Sequence, residues 1–239
     1  MEPFKLTRLE MAKLMYSLKG QLDISPLAIV LKSADMTVDE AEHHIKIPEF
    51  IIRYERKKQK TEHGLSTNEI VELGNLCELT SLKSTAIQNW IKRDIKDLMG
   101  HPELGKKYSI DQAVILLIVR DLKSVYDFET IRPILKMIFN TITDRSDDIV
   151  SPLRFYEGYA RVLDLVHQRD DFVRKEATME TIVYQETDRM RDYYKELAEP
   201  EWKKTRDITA VTVLSVIASH IQATAQAVID DVFAKHSAT

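Results

Sequence analysis

Residues 67–93 read TNEIVELGNLCELTSLKSTAIQNWIKR, from Thr67 to Arg93, and the fold turns on how that stretch is divided. Apolar residues recurring three and four apart mark helix, and two short helices joined by Glu78 to Lys83 satisfy the pattern. In the first, Ile70, Leu73 and Cys77 share a face, with Val71 and Leu76 at its margins. In the second, Ile87, Trp90 and Ile91 form an apolar flank. The other face of the second helix carries Thr85, Gln88, Asn89 and Lys92 at i, i+3, i+4 and i+7, with Arg93 at its shoulder and Lys83 near its start. This row is polar and free of carboxylates, since Asp94 lies beyond it. Such side chains suit a DNA major groove: Asn and Gln pair with adenine, Lys and Arg reach guanine or phosphate, and the Thr methyl meets thymine. An acid on the row would be repelled by the phosphates.

Downstream, Gly100, Pro102 and Gly105 permit a tight excursion, and residues 95–108 have room for a short hairpin. Lys96, His101, Lys106 and Lys107 would lie along DNA phosphates there, before a capped helix from Ile110. Helix, turn, helix, basic wing, helix is the winged helix-turn-helix order. Charge is distributed accordingly. Residues 50–107 hold 11 basic and 8 acidic side chains inside a chain of formal charge −4, so a polyanion is least repelled in this window. The expected base-reading residues are Thr85, Gln88, Asn89, Lys92 and Arg93, and the expected phosphate contacts are Lys83, Lys96, Lys106 and Lys107. Helix pairs joined by short turns also occur throughout α-helical proteins, so a non-catalytic α-helical protein-interaction module is the alternative.

The rest of the chain reads as helix. With 44% apolar and 30% charged residues in 239, it can bury a real core. Six Gly and seven Pro are too few for many hairpins. Ser25-Pro26 and Ser151-Pro152 are helix starts, and Thr37–Glu40, Ser66–Glu69 and Ser109–Gln112 fit the capping box. Helices are expected over 4–19, 26–34, 38–45, 48–60, 67–77, 84–93, 110–124, 128–140, 152–168, 172–198 and 206–235, with Pro133 awkward inside its segment. The polar cluster at 143–148 marks a break, dividing the chain into an N-terminal helical segment (1–47), a central domain (48–142) and a C-terminal helical region (149–239). Ile208 to Ile229 is uncharged for 22 residues, long enough for a membrane span. His220, Gln222 and Gln226 within it would be expensive in lipid, so a helix packed in a bundle or across a subunit interface is expected, and no membrane.

The runs Thr85–Arg93 (TAIQNWIKR), Gly105–Ser109 (GKKYS) and Asp121–Lys123 (DLK) resemble an uncharacterised bacterial family known only as a domain of unknown function, the 1836 family, over roughly residues 45–140. The same arrangement is similar to the DNA-binding head of MerR-type regulators, with Ile87, Trp90 and Tyr108 in its apolar and aromatic places. The chain departs from that head at Gln88, where those regulators carry a phosphate-binding Arg, and at Asn89, which replaces an aromatic. The resemblance implies an all-α protein with a MerR-like winged helix-turn-helix, acting on double-stranded DNA as a homodimer. Residues 172–235 would serve as its dimerisation and candidate effector region, for a small molecule or a protein. Tyr156, Tyr159, Tyr184, Tyr193, Tyr194 and Trp202 are the candidate pocket aromatics.

Catalysis is not expected. Glu40-x-x-His43 and Asp164-x-x-His167 have the spacing of half a di-iron site, but two further inward glutamates are needed. The acidic turn from Asp144 lacks the glycine and glutamate of a calcium loop, with Ile149 and Phe155 in their places. A phosphate-cradling glycine loop, a Gly-x-Ser-x-Gly elbow and a His-Glu-x-x-His pair are all absent. One cysteine, Cys77, excludes an internal disulfide and a multi-thiolate metal site, so neither cofactor nor metal is expected. Lys5, Arg8, Lys13 and Lys19 interrupt the start where a signal peptide needs an apolar run, pointing to the cytoplasm.

Overall fold

The computed structural model describes residues 4–37, 40, 45–56, 61–140, 144–169 and 177–237. Among them all extended regular structure is helical, so the protein is all-α. The helices are α1 (Arg8–Leu18), α2 (Pro26–Ala34), α3 (Glu49–Glu55), α4 (Thr67–Gly74), α5 (Ser84–Asn89), α6 (Lys96–Met99), α7 (Ile110–Lys123), α8 (Phe128–Phe139), α9 (Pro152–His167), α10 (Met179–Asp188) and α11 (Glu199–Ser237). A π-helical turn, Trp90–Asp94, continues α5, and a 3-10 turn, Arg189–Arg191, follows α10. The expected helix at 38–45 falls mostly on residues outside the described set, as do the end of the one at 48–60 and residues 172–176.

Local chemistry explains most starts. Thr7, Ser66 and Ser109 each accept from the backbone three residues on, and Glu10, Glu69 and Gln112 reach back, completing capping boxes for α1, α4 and α7. Thr37 and Glu40 make the same reciprocal bonds. Ser25 caps α2 through its hydroxyl, whereas Ser151 makes no side-chain cap bond and α9 begins on Pro152 alone. Asp127 caps α8 ahead of Pro133, so that helix carries its proline internally.

The most buried helix is α7. From Ile110 to Leu122 nearly every side chain is covered, Gln112 and Asp121 included. Around it pack α8, α9 and α11, with α1 and α10 against α9, and one core runs from Leu6 to Ile217. Helix α11 has 39 residues, about 58 Å at ~1.5 Å per residue. Its first half is mostly buried, and several hydroxyls that punctuate its uncharged run bond back to the helix itself, while that of Thr209 makes no hydrogen bond among the described residues. Thr212 donates to the Ile208 carbonyl and Ser215 to that of Val211, each at 2.8 Å. From Ile221 onward the helix leaves the body. By length and composition it could cross a membrane, but less than half of its most apolar window is buried.

Candidate nucleic-acid interface

The row read from the sequence stands outward. Thr85, Gln88, Asn89, Lys92 and Arg93 are all exposed, and none makes a side-chain hydrogen bond or ion pair among the described residues. The helix beneath is held by its apolar flank: Ile87 is fully buried, Ile91 and Trp90 pack on the core, and Trp90 meets Phe128 edge-to-face at 5.7 Å. The expected continuous α-helix over 84–93 is corrected at its second half. The Ile95 N–H bonds to the Trp90 carbonyl at 2.8 Å, five residues back. A π turn holds more residues than an α turn, so Lys92 and Arg93 share the exposed surface with Thr85 and Gln88 without keeping the 3.6-residue register.

A further correction concerns the approach to that helix. Helix α4 ends at Gly74, so nine residues, Asn75–Lys83, connect it to α5. A typical helix-turn-helix connection is about three to four residues. Close packing requires the glycine at that end, because a Cβ on Gly74 would sit 2.5 Å from Leu82 Cδ1 and 3.1 Å from Leu117 Cδ2. The connection is ordered by its own side chains: the Asn75 amide donates to the Leu82 carbonyl at 3.1 Å and accepts from its N–H at 2.6 Å. Ser84 donates to Asn68 at 3.1 Å, tying together the starts of α4 and α5.

Beside the row, Leu104 and Lys107 exchange backbone hydrogen bonds at 3.0 and 3.1 Å around Gly105-Lys106, and Tyr108 pairs with Leu65. Gly105 takes φ +69°, a left-handed conformation that favours glycine. The expected hairpin is thus one tight turn after the short helix α6. Lys83, Lys96 and Lys106 are exposed. Lys107 is half-covered and committed, its ammonium 3.0 Å from Glu69, which Arg53 also reaches at 3.1 Å. Burial alone would raise the Glu69 carboxyl; the Ser66 backbone N–H and Lys107 outweigh it and hold it below the usual range. Nearby Asp97 is neutralised in part by Arg132 at 3.7 Å.

Sequence reasoning missed the buried polar centre behind this face. Arg8 donates to both carboxylate oxygens of Asp121, at 3.0 and 2.9 Å, and to Glu78 at 3.1 Å. Tyr159 donates to Asp121 at 2.9 Å, and Arg8 Nη1 lies 3.4 Å from His220 Nε2. Arg8 and Asp121 are almost fully buried. Burial alone would lower the guanidinium and raise the carboxyl; their mutual pairing, with Arg120 and Tyr159 helping Asp121, reverses both shifts. Arg120 also donates to the Leu79 carbonyl, while Leu6 brackets the connection through Leu76 and Glu78 at 2.7 and 2.8 Å. The available signal was Asp121 itself, a carboxylate deep in the apolar run of α7.

In the C-terminal region, Tyr156, Tyr159, Tyr194 and Trp202 are core, not pocket lining. Tyr193 donates to Glu157 at 2.8 Å, and Tyr184 lies under Arg206. Cys77 falls just past α4, buried, with its thiol pushed up to about 11 by desolvation. Asp164 accepts from Gln168 at 2.8 Å and His167 stacks on His220. His43 lies outside the described residues, and no cluster of three metal-ligating side chains occurs among those described. The protruding end of α11 bares Ile221, Val228, Ile229, Val232 and Phe233. Seven- and four-residue spacings put Ile221, Val228 and Val232 on one side.

A family model described as a domain of unknown function, DUF1836, matches residues 47–159, which include the connection, the outward row, the hairpin and α7. The chain is 63% identical over 232 residues to the "Uncharacterized protein YkrK" of Bacillus subtilis (strain 168), covering 97% of this chain and 100% of that one. No solved structure matches.

Proposed function

The chain belongs to the DUF1836 family, and on that footing we propose that it is a sequence-specific DNA-binding transcriptional regulator with a MerR-like winged helix-turn-helix, acting as a cytoplasmic dimer. The observation that carries the proposal is the exposed, carboxylate-free row Thr85, Gln88, Asn89, Lys92 and Arg93, unpartnered among the described residues, on a helix fixed by Ile87 and Trp90. A rigid helix presenting amides and cations outward meets the chemical demand of base edges and phosphates together. Lys83, Lys96 and Lys106 flank it as exposed cations; Lys107 would have to exchange Glu69 for phosphate. The stripe Ile221 to Phe233 supplies the surface for pairing two copies.

The test is duplex binding by the full chain as salt is raised. Affinity for a fragment selected from random DNA should fall steeply, because each neutralised phosphate contributes about −0.9 to the slope of log K against log salt. The apolar stripe equally suits the second reading, a module that grips a partner protein without DNA. Negligible duplex binding at low salt would favour that module.

A further inference from the structure

Between α9, α10 and α11 lies a cavity of about 260 Å³. Val166, Met179, Ile182, Ile217 and Ile221 make most of its wall aliphatic; Arg169, held by Glu186 at 2.7 Å, stands at the wall, and His167 and His220 close one side, their rings stacked 5.5 Å apart. The state of His220 follows from its neighbour. A guanidinium can only donate, so His220 Nε2 accepts from Arg8 and the ring proton sits on Nδ1. Desolvation first, then the Arg8 charge and His167, push its pKa down to about 4, which keeps the ring neutral near pH 7. The remaining N–H has no acceptor among the described residues. An apolar chamber with a neutral donor in its wall suits a small greasy molecule with one acceptor, and the volume sits below the usual range for drug-sized ligands.

The same guanidinium that meets His220 holds Glu78 at 3.1 Å. Glu78 belongs to the Asn75–Lys83 connection and donates its backbone N–H to Leu6. One buried side chain therefore touches both the cavity wall and the segment that launches α5. A ligand that draws on His220 changes what Arg8 can share with Glu78, and only such differential contact can shift a conformational balance.

We propose that this cavity binds a small, largely apolar molecule carrying one carbonyl or carboxylate acceptor, and that occupancy is relayed through Arg8 to the connection ahead of the outward row. The regulatory meaning of the relay rests on the DNA-reading proposal; binding and relay are measured without DNA.

Benzamide and benzoate serve as probes against the full chain, with calorimetry for affinity and amide hydrogen exchange for the relay. Saturable binding of at least one probe is expected, weakened tenfold or more by Ile217→Trp, which fills the cavity, and by Met179→Trp at its less buried wall. Circular dichroism checks that each variant is folded, the second covering the loss of the first. Bound probe should change exchange across residues 75–83, and Glu78→Gln should abolish that change while leaving affinity within twofold. No saturable binding by either probe, or equal affinity in the folded tryptophan variants, overturns the site. Binding with unchanged exchange at 75–83 overturns the relay. Loss of duplex binding alone, with binding and relay intact, overturns the DNA proposal and leaves this one standing.

Discussion

Two surfaces of this protein lack partners among the described residues, and they are chemical opposites. Along the row on α5 and its π turn the exposed side chains are amides, a hydroxyl and cations, which water satisfies. Along the end of α11 they are Ile221, Val228, Ile229, Val232 and Phe233, which water does not favour. The first surface is at rest when free and needs a partner only for function. The second is costly when free, because roughly 25 cal/mol is at stake for each Å² of apolar surface. The contrast assigns different kinds of association to the two: selective and salt-sensitive for the row, apolar and salt-tolerant for the stripe.

Both surfaces are anchored to the Arg8–Asp121 centre, so the largest effect comes from breaking it. Asp121→Ala leaves a buried guanidinium without its main counter-charge and should destabilise the fold by about 3–5 kcal/mol, read as a fall in urea midpoint. Adding Arg8→Met to that variant should recover much of the loss, since the uncompensated charge is then gone. A single transition seen by both Trp90 and Trp202 fluorescence would mean that the two surfaces stand on one cooperative unit.

The surfaces are then separated by substitutions that leave the core alone. Asn89→Ala should relax sequence choice on selected duplex by about 1–3 kcal/mol if the amide makes a paired base contact. Lys92→Ala and Arg93→Ala should each lower the salt slope by about one unit while the melting temperature stays put. Phe233→Glu, at a side chain 63% exposed, should do the reverse: shift sedimentation from dimer to monomer by tenfold or more in dissociation constant, with monomer stability unchanged. Should Phe233→Glu leave the assembly state untouched, the stripe is not where copies meet.

The sequence carried the first surface better than the second. The i, i+3, i+4, i+7 spacing of Thr85, Gln88, Asn89 and Lys92 identified an outward row because side-chain direction in a short helix is set locally. The π turn beneath Lys92 was illegible, since it depends on a single displaced bond from Ile95 to Trp90. Capping boxes at Ser66 and Ser109 marked helix starts correctly, yet the close approach of Leu82 and Leu117 to Gly74, where α4 ends, is a tertiary fact. The same holds for the candidate pocket. Tyr156 and Tyr194 have the composition of a lining, and only packing reveals them as core, while His167 and His220, 53 residues apart, become neighbours through the α9–α11 contact.

The last effect tests the turn between α8 and α9, where Asp148 sits nearly buried with both carboxylate oxygens lacking hydrogen bonds among the described residues and Arg145 3.9 Å away. Desolvation raises its pKa to about 7, against the pull of Arg145. A carboxyl raised in the native state holds its proton when the unfolded chain has already released it. The native fold therefore binds more protons between about pH 4 and 7, and stability declines as pH rises through that window. His220 works in the opposite direction: its depressed pKa, about 4, makes the unfolded chain bind more protons below its ordinary value of 6.5, so stability grows with pH there. The two slopes offset each other in the parent protein. Replacing Asp148 by Asn removes one of them, and melting temperatures of variant and parent should converge near pH 4 and separate toward pH 8, with the variant higher. A parallel offset at all pH values would show that Asp148 does not titrate in this range and that Arg145, 3.9 Å from both Asp148 and Glu103, already neutralises it.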